Sequence, residues 1–157
     1  MENERKFLIK TMPEDINSFI HFNLKQGYLS FNPEIRIRRK AISRTSTYAE
    51  YFFTTKGEGE EQRPEYEIPI SKGVFNEFRL NVNGRLLSKV RYLVPVPKYI
   101  AELDIYEDGF EPTVEVEFKN MNDLNSFEIP DWFGEEVTHD PKYKNKNLFK
   151  KLNEGVI

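Results

Sequence analysis

Residues 33–40 read Pro-Glu-Ile-Arg-Ile-Arg-Arg-Lys, "PEIRIRRK", and the alternation inside them decides the fold. In an extended chain successive side chains leave on opposite faces, so Glu34, Arg36 and Arg38 share one face while Ile35 and Ile37 share the other. A period of two marks a strand with a charged front and an apolar back. The same division recurs along the chain. Arg63, Glu65 and Glu67 alternate against Tyr66 and Ile68, and Lys56 ends the strand that contains Tyr51 and Phe53. Lys89 and Arg91 alternate against Val90 and Tyr92, Glu102 and Asp104 against Leu103 and Ile105, and Glu115 and Glu117 against Val114, Val116 and Phe118. At the N-terminus, "MENERKFLIK" sets Glu2, Glu4 and Lys6 in one register and Phe7 and Ile9 in the other.

Turn signals at Asn32-Pro33, Gly57 to Gly59, Asn83-Gly84 and Asp108-Gly109 separate about eight such strands. Helical spacing predicts a helix over Ile16–Lys25, through Ile16, Phe19, Ile20 and Leu24, and a second over Ser71–Leu80. In the second, Val74, Phe75 and Phe78 form the stripe to be buried and Ser71 is the N-cap. A third is expected over Lys142–Leu152. Antiparallel neighbours in sequence favour an α+β fold: an eight-stranded antiparallel β-barrel with flanking helices and a C-terminal helix, in one domain over residues 1–157.

Composition narrows the chemistry. The chain of 157 residues has no cysteine, which removes disulfides, thiolate catalysis and zinc–cysteine sites, and points to the cytoplasm. No stretch reads as a signal peptide or a membrane span. Net charge is −3 although 31% of residues are charged, so a generally basic surface for nucleic acid is not indicated. His21 and His139 stand far apart with no second His at ligand spacing, and read as structural or surface residues. Trp132 and Phe133 read as packing, and Arg39, Lys40 and Arg44 as a solvated extension of the basic run near a rim.

One strand at a time, a charged face is an ordinary solvated sheet surface. Taken together, acidic pairs (Glu2/Glu4, Glu65/Glu67, Glu115/Glu117) and basic pairs (Arg36/Arg38, Lys89/Arg91) separate by strand. Like charges on one face repel, so an arrangement of this kind implies something of opposite charge between them. Carboxylates without His or Cys suit a hard divalent cation, and clustered Arg and Lys suit phosphate oxygens. A barrel holding both sets inside would be a tunnel for a metal-bound polyphosphate.

The residues resemble the CYTH proteins, also called triphosphate tunnel metalloenzymes. The E-x-E-x-K start is Glu2-Asn3-Glu4-Arg5-Lys6, and the family's later blocks are matched in order by "GYLSFNPEIRIRR", "TTKGEG", "RPEYEIPI", "LSKVRYLVP", "AELDIY", "VEVEF" and "WFGEEVTHDPKYKN". The resemblance covers nearly the whole chain. It implies a tunnel that binds a triphosphate group with Mg²⁺ or Mn²⁺, often in a homodimer. At matching positions, Glu2, Glu4, Glu115 and Glu117 would hold the metal. Asp104, with Glu65 and Glu67, would complete coordination or hold basic neighbours in place. Lys6, Arg36, Arg38, Lys56, Arg63, Lys89 and Arg91 would grip phosphate oxygens, and Lys89 and Tyr28 would help to activate the attacking water. A lysine among arginines can have its pKa lowered by like-charge repulsion, which suits Lys89 to that role.

The compact chain looks most like the short bacterial inorganic triphosphatases, which implies hydrolysis of tripolyphosphate to pyrophosphate and phosphate. Other triphosphate-bearing small molecules remain alternatives, through thiamine triphosphatase activity or a class IV adenylyl cyclase that forms cyclic AMP from ATP. A reading of another class is a non-catalytic module that binds polyphosphate or nucleotide. Neither a membrane nor nucleic acid is an expected partner.

Overall fold

The computed structural model describes residues 3–57 and 64–156, so the expectations at Glu2 and Arg63 lie outside the described residues. Nine strands form one sheet: β1 (Asn3–Ile9), β2 (His21–Phe31), β3 (Glu34–Ala41), β4 (Ala49–Lys56), β5 (Glu65–Ile70), β6 (Leu87–Val96), β7 (Tyr99–Tyr106), β8 (Thr113–Phe118) and β9 (Phe133–Glu136). The spatial order is β5-β4-β3-β2-β6-β7-β8-β1-β9, and every neighbouring pair is antiparallel. Nine strands therefore stand where eight were expected. The added one, β9, is the short segment beyond Trp132, which pairs with β1 through Phe7 opposite Glu136 and Ile9 opposite Phe133. The ladder runs from β5 to β9, and no β5–β9 pairing closes it into a hydrogen-bonded barrel among the described residues.

The helix expected over Ile16–Lys25 does not form. A single tight helical turn at Ile16–Ser18 gives way to β2, the longest strand, which lies between β3 and β6 and has its backbone paired on both sides. Ten residues of helical spacing are a weak signal against a ladder that pairs His21–Gln26 with β6 and Asn23–Phe31 with β3. A Cβ at Gly27 would press on Leu86 and Val82, so the strand needs glycine there for close packing.

Among the described residues three α-helices flank the sheet: α1 (Lys72–Arg79), α2 (Met121–Asn125) and α3 (Asn145–Leu152). In α1 the Ser71 hydroxyl oxygen accepts from the Val74 N–H at 3.1 Å, as an N-cap should. Phe75 packs on Tyr51 and Phe78 on Phe53, with ring centroids 4.9 and 5.3 Å apart. Val74 is exposed instead of sharing that stripe, because the helix lies on the sheet through Phe75 and Phe78 alone. The helix expected from Lys142 begins later. Pro141–Tyr143 form a separate turn, Lys144 is extended, and only then does α3 start.

Two apolar clusters hold the sheet. Phe7, Val94, Leu103, Val114, Val116, Phe118 and Phe133 form one, with Trp132 packed against it. Burying each such side chain contributes about 1.5–3 kcal/mol. The other joins Ile37 and Phe75 with Tyr28, Leu87, Tyr106, Leu148 and Phe149, so α3 is pressed against the charged side of the sheet by its own two buried residues. Among the described residues no helix is long and apolar enough to cross a membrane.

Candidate active site

The registers carry the charged face from strand to strand. Tyr28 lies opposite Arg36, Arg36 opposite Thr54, and Thr54 opposite Glu67. Glu34 lies opposite Lys56, which lies opposite Glu65. Further along, Arg91 faces Asp104, Glu102 faces Glu115, Glu115 faces Lys6, and Glu4 faces Glu117. Residues directly opposite one another project to the same side, so these chains of partners form one continuous polar surface.

That surface bounds a cavity of about 570 Å³. Every strand contributes a side chain to it: Glu4, Tyr28, Arg36, Lys56, Glu65, Arg91, Glu102, Glu115 and Glu136, in order from β1 to β9. Lys6, Arg38, Glu67 and Glu117 line it too. The structure thus gathers most of the residues expected from sequence. It adds Lys144, Asn145 and Lys146 from the start of α3, with Glu34, Thr138 and His139. His139 lies on the wall of the site, whereas His21 is occupied with the Phe19 carbonyl and the Tyr92 ring.

Opposite charges interleave across strands more than the sequence suggested. Lys6 pairs with Glu115 at 3.6 Å, Lys56 with Glu34 at 3.7 Å and Arg36 with Glu65 at 3.7 Å. Arg91 Nη1 donates to Glu102 at 2.9 Å, and Thr54 Oγ1 to Glu67 at 3.0 Å. Two directly opposed pairs remain like-charged, Glu4 with Glu117 and Glu102 with Glu115. Within the basic set, Arg36 Nε and Arg38 Nε are buried without a hydrogen-bond partner. Burial, reinforced by Arg36 and Arg91, pushes Arg38 down to about 10. Cations concentrated to that degree want an anion.

Asp104 and Lys89 lie deeper than the sequence implied. Asp104 Oδ2 accepts from Lys89 Nζ at 2.7 Å and from Arg91 Nη2 at 3.0 Å, and Oδ1 accepts from Arg91 Nε at 2.8 Å. Asp104 thus holds both of its basic neighbours, Lys89 and Arg91. Burial alone would raise its carboxyl, but Arg91 and Lys89 hold it well below the usual carboxylate range. Lys89 is 0% exposed and does not line the cavity. Its ammonium donates to Asp104 and, at 3.3 Å, to Asn145 Oδ1, and burial with Arg91 and Arg38 nearby pushes it down to about 7 against the pull of Asp104. The lowering expected of Lys89 is present, and its ammonium is enclosed by Asn145 of α3 and the Tyr106 ring, whose centroid is 5.5 Å away.

The carboxylates fit a hard divalent cation in chemistry. Glu4 and Glu117 are directly opposed oxygen donors, with Glu115 beside them, and the chain has no cysteine to offer a thiolate. Among the described residues no three His, Cys, Asp or Glu side chains converge into a complete cage. Magnesium-type ions need only one or two carboxylates when substrate phosphates complete the shell.

An inorganic triphosphatase of Nitrosomonas europaea is 39% identical to this chain over 153 residues, which cover 94% of this chain and 95% of that protein. The chain belongs to the inorganic triphosphatases of the CYTH family. A second inorganic triphosphatase, of Acetivibrio thermocellus, is 30% identical over 80% of this chain and 79% of its own length. A solved structure described as an inorganic triphosphatase superposes with a TM-score of 0.67 at 38% identity, covering 94% of this chain and 93% of that one. No family model matches the chain.

Proposed function

We infer that the chain hydrolyses inorganic triphosphate to pyrophosphate and phosphate, inside a tunnel made by the sheet curling on itself. The observation that carries this reading is the pair of buried, unpartnered Nε groups on Arg36 and Arg38 in a cavity walled by further cations. Buried donors without partners cost about 1–3 kcal/mol each, a cost that phosphate oxygens remove. Side chains from all nine strands on one cavity support the closed tunnel, although the ladder ends on two different strands.

In this reading Lys6, Arg36, Arg38, Lys56 and Arg91 bind the triphosphate oxygens, and Arg63 joins them from outside the described residues. Arg forks fix orientation, while the Lys ammonium groups follow charge as it shifts. Glu4, Glu115 and Glu117, with Glu2, would hold Mg²⁺ or Mn²⁺, which would supply charge neutralisation on the phosphates. Glu65, Glu67 and Glu102 keep the basic side chains in place, as Asp104 does for Lys89 and Arg91. The oxygen of water bonds to the terminal phosphorus, the bridging P–O bond breaks, and pyrophosphate leaves with the electron pair while the water proton is released. Tyr28 is pushed up to about 12 by burial, so it serves as a neutral hydrogen-bond donor to the phosphates. Lys89 acts as a positioning cation behind Arg91.

Adenylyl cyclisation would need a surface for the base. Among the described lining residues the one phenyl-type ring is Tyr28, and it is packed between Phe31 and Phe149. Incubation with tripolyphosphate, ATP or thiamine triphosphate plus Mg²⁺ or Mn²⁺, following phosphate and cyclic AMP, tests the choice. Phosphate from tripolyphosphate is the expected result. Cyclic AMP from ATP without it would reverse the reading, and tight polyphosphate binding without turnover would make the chain a binding module.

A further inference from the structure

Gln26 is fully buried, and its register partner on β3 is Arg38, so it lies on the same side of the sheet as the cavity. Its Nε2 donates to the Tyr28 hydroxyl oxygen at 3.3 Å, while its Oε1 is buried with no hydrogen-bond partner. A buried carbonyl left unpartnered is a poor choice for stability, because an apolar side chain of similar shape would avoid its desolvation. The atom of this glutamine that has a partner is the one that touches Tyr28.

A phenol has one hydrogen to donate and two lone pairs to fill. Gln26 fills one, and the Arg36 guanidinium stands beside the phenol as the register partner of Tyr28. The ring itself is fixed, stacked on Phe31 with centroids 5.8 Å apart and meeting Phe149 edge-on at 5.3 Å. With its oxygen occupied from the protein side, the hydroxyl hydrogen is left for an acceptor in the cavity that Tyr28 lines. Burial keeps that hydrogen in place at neutral pH.

We propose that Gln26 is a positioning residue for the reaction: by donating to the Tyr28 oxygen it turns the Tyr28 hydrogen toward a triphosphate oxygen. The inference rests on the triphosphatase reading above, which supplies the acceptor. Leucine at this position keeps the volume and removes the donor. Glutamate keeps the shape but accepts from Tyr28 instead, drawing the hydrogen away from the cavity.

The test is a double-mutant cycle on tripolyphosphate hydrolysis with Gln26→Leu, Gln26→Glu, Tyr28→Phe and the Gln26→Leu/Tyr28→Phe pair, with thermal melting of each. Gln26→Leu should lower kcat about tenfold, the effect of one misdirected hydrogen bond, with KM nearly unchanged and melting no lower than for the unmodified chain. Gln26→Glu should be slower still. In the Tyr28→Phe background Gln26→Leu should change kcat less than about twofold, because the group it orients is gone. Equal losses in both backgrounds would overturn the inference and leave the triphosphatase reading standing. So would a Gln26→Leu enzyme with unaltered kcat, or a Tyr28→Phe enzyme as fast as the original. Failure of the unmodified chain to release phosphate from tripolyphosphate would sink the proposed function, and this inference with it.

Discussion

Asp104, 6% exposed, is held by three hydrogen bonds from two cations, and this makes it the most consequential side chain beneath the site. Removing one member of a buried charge network leaves the others uncompensated, at a cost of about 3–5 kcal/mol. Asp104→Ala should therefore lose that much in urea denaturation, and should lose activity by releasing Arg91 from its fixed direction. The pH dependence follows from the same carboxyl. Its folded-state pKa is below the ordinary 3.8, so the unfolded chain takes up the proton first. The stability Asp104 contributes is complete above about pH 4 and is lost as pH falls below it, so acid titration of the variant should show a flatter limb than that of the original. Glu4 behaves differently because it opposes Glu117 across the β1–β8 ladder. Glu4→Gln relieves like-charge repulsion, so melting should hold or rise while turnover falls about a hundredfold or more. Unchanged activity with unchanged metal dependence would remove Glu4 from the metal site. The sequence shows which face each of these residues occupies, because a period of two is written directly in the chain. It does not show depth. Lys89 and Arg91 share a face, yet one is enclosed by Asn145 and the Tyr106 ring and the other reaches the cavity, a difference that depends on α3, far along the chain.

Among the elements, α1 was legible because its cap and aromatic stripe are local features. β2 is not, because its partner β6 lies far along the chain and only the pairing with β3 and β6 together outweighs the helical spacing near Ile16. The start of α3 was misread for a related reason. Leu148, Phe149 and Leu152 repeat at helical spacing, which carries the expected helix back to Lys142, whereas Pro141–Tyr143 form their own turn and Lys144 is extended. The other end of α3 is anchored by Asn153. Its Oδ1 accepts from the Arg85 N–H at 2.7 Å, and its Nδ2 donates to the Arg85 and Phe149 carbonyls at 3.0 and 3.1 Å. Gly84 sits beside it with φ of 91°, a conformation that favours glycine, and a Cβ there would collide with the Asn153 carboxamide. Gly84→Ala should destabilise the chain by about 2 kcal/mol or more through strain and loss of this clasp. If α3 positions Asn145 and Lys144 as the contacts indicate, activity should fall further than stability explains, measured at a temperature where the variant remains folded.

At the scale of the molecule, charged side chains crowd one face of the sheet and apolar ones the other, and the fold is stable only if the charged interior stays compensated. Cross-strand ion pairs do part of this within the protein itself. The unpartnered Nε groups of Arg36 and Arg38 leave the rest to a ligand. A ligand that binds the folded chain alone stabilises it by mass action, about 2.7 kcal/mol at a hundredfold excess over its Kd. In a chain of this size that corresponds to a rise in Tm of about 5–10 °C. Tripolyphosphate with Mg²⁺ should produce such a rise, and pyrophosphate a smaller one because it reaches fewer of the cations. Each component alone should give less than the two together, since carboxylates and cations on one wall are relieved by opposite partners. Equal shifts from Mg²⁺ alone and from the pair would mean that the metal does not reach the cavity with the phosphates, and the shared site would have to be divided.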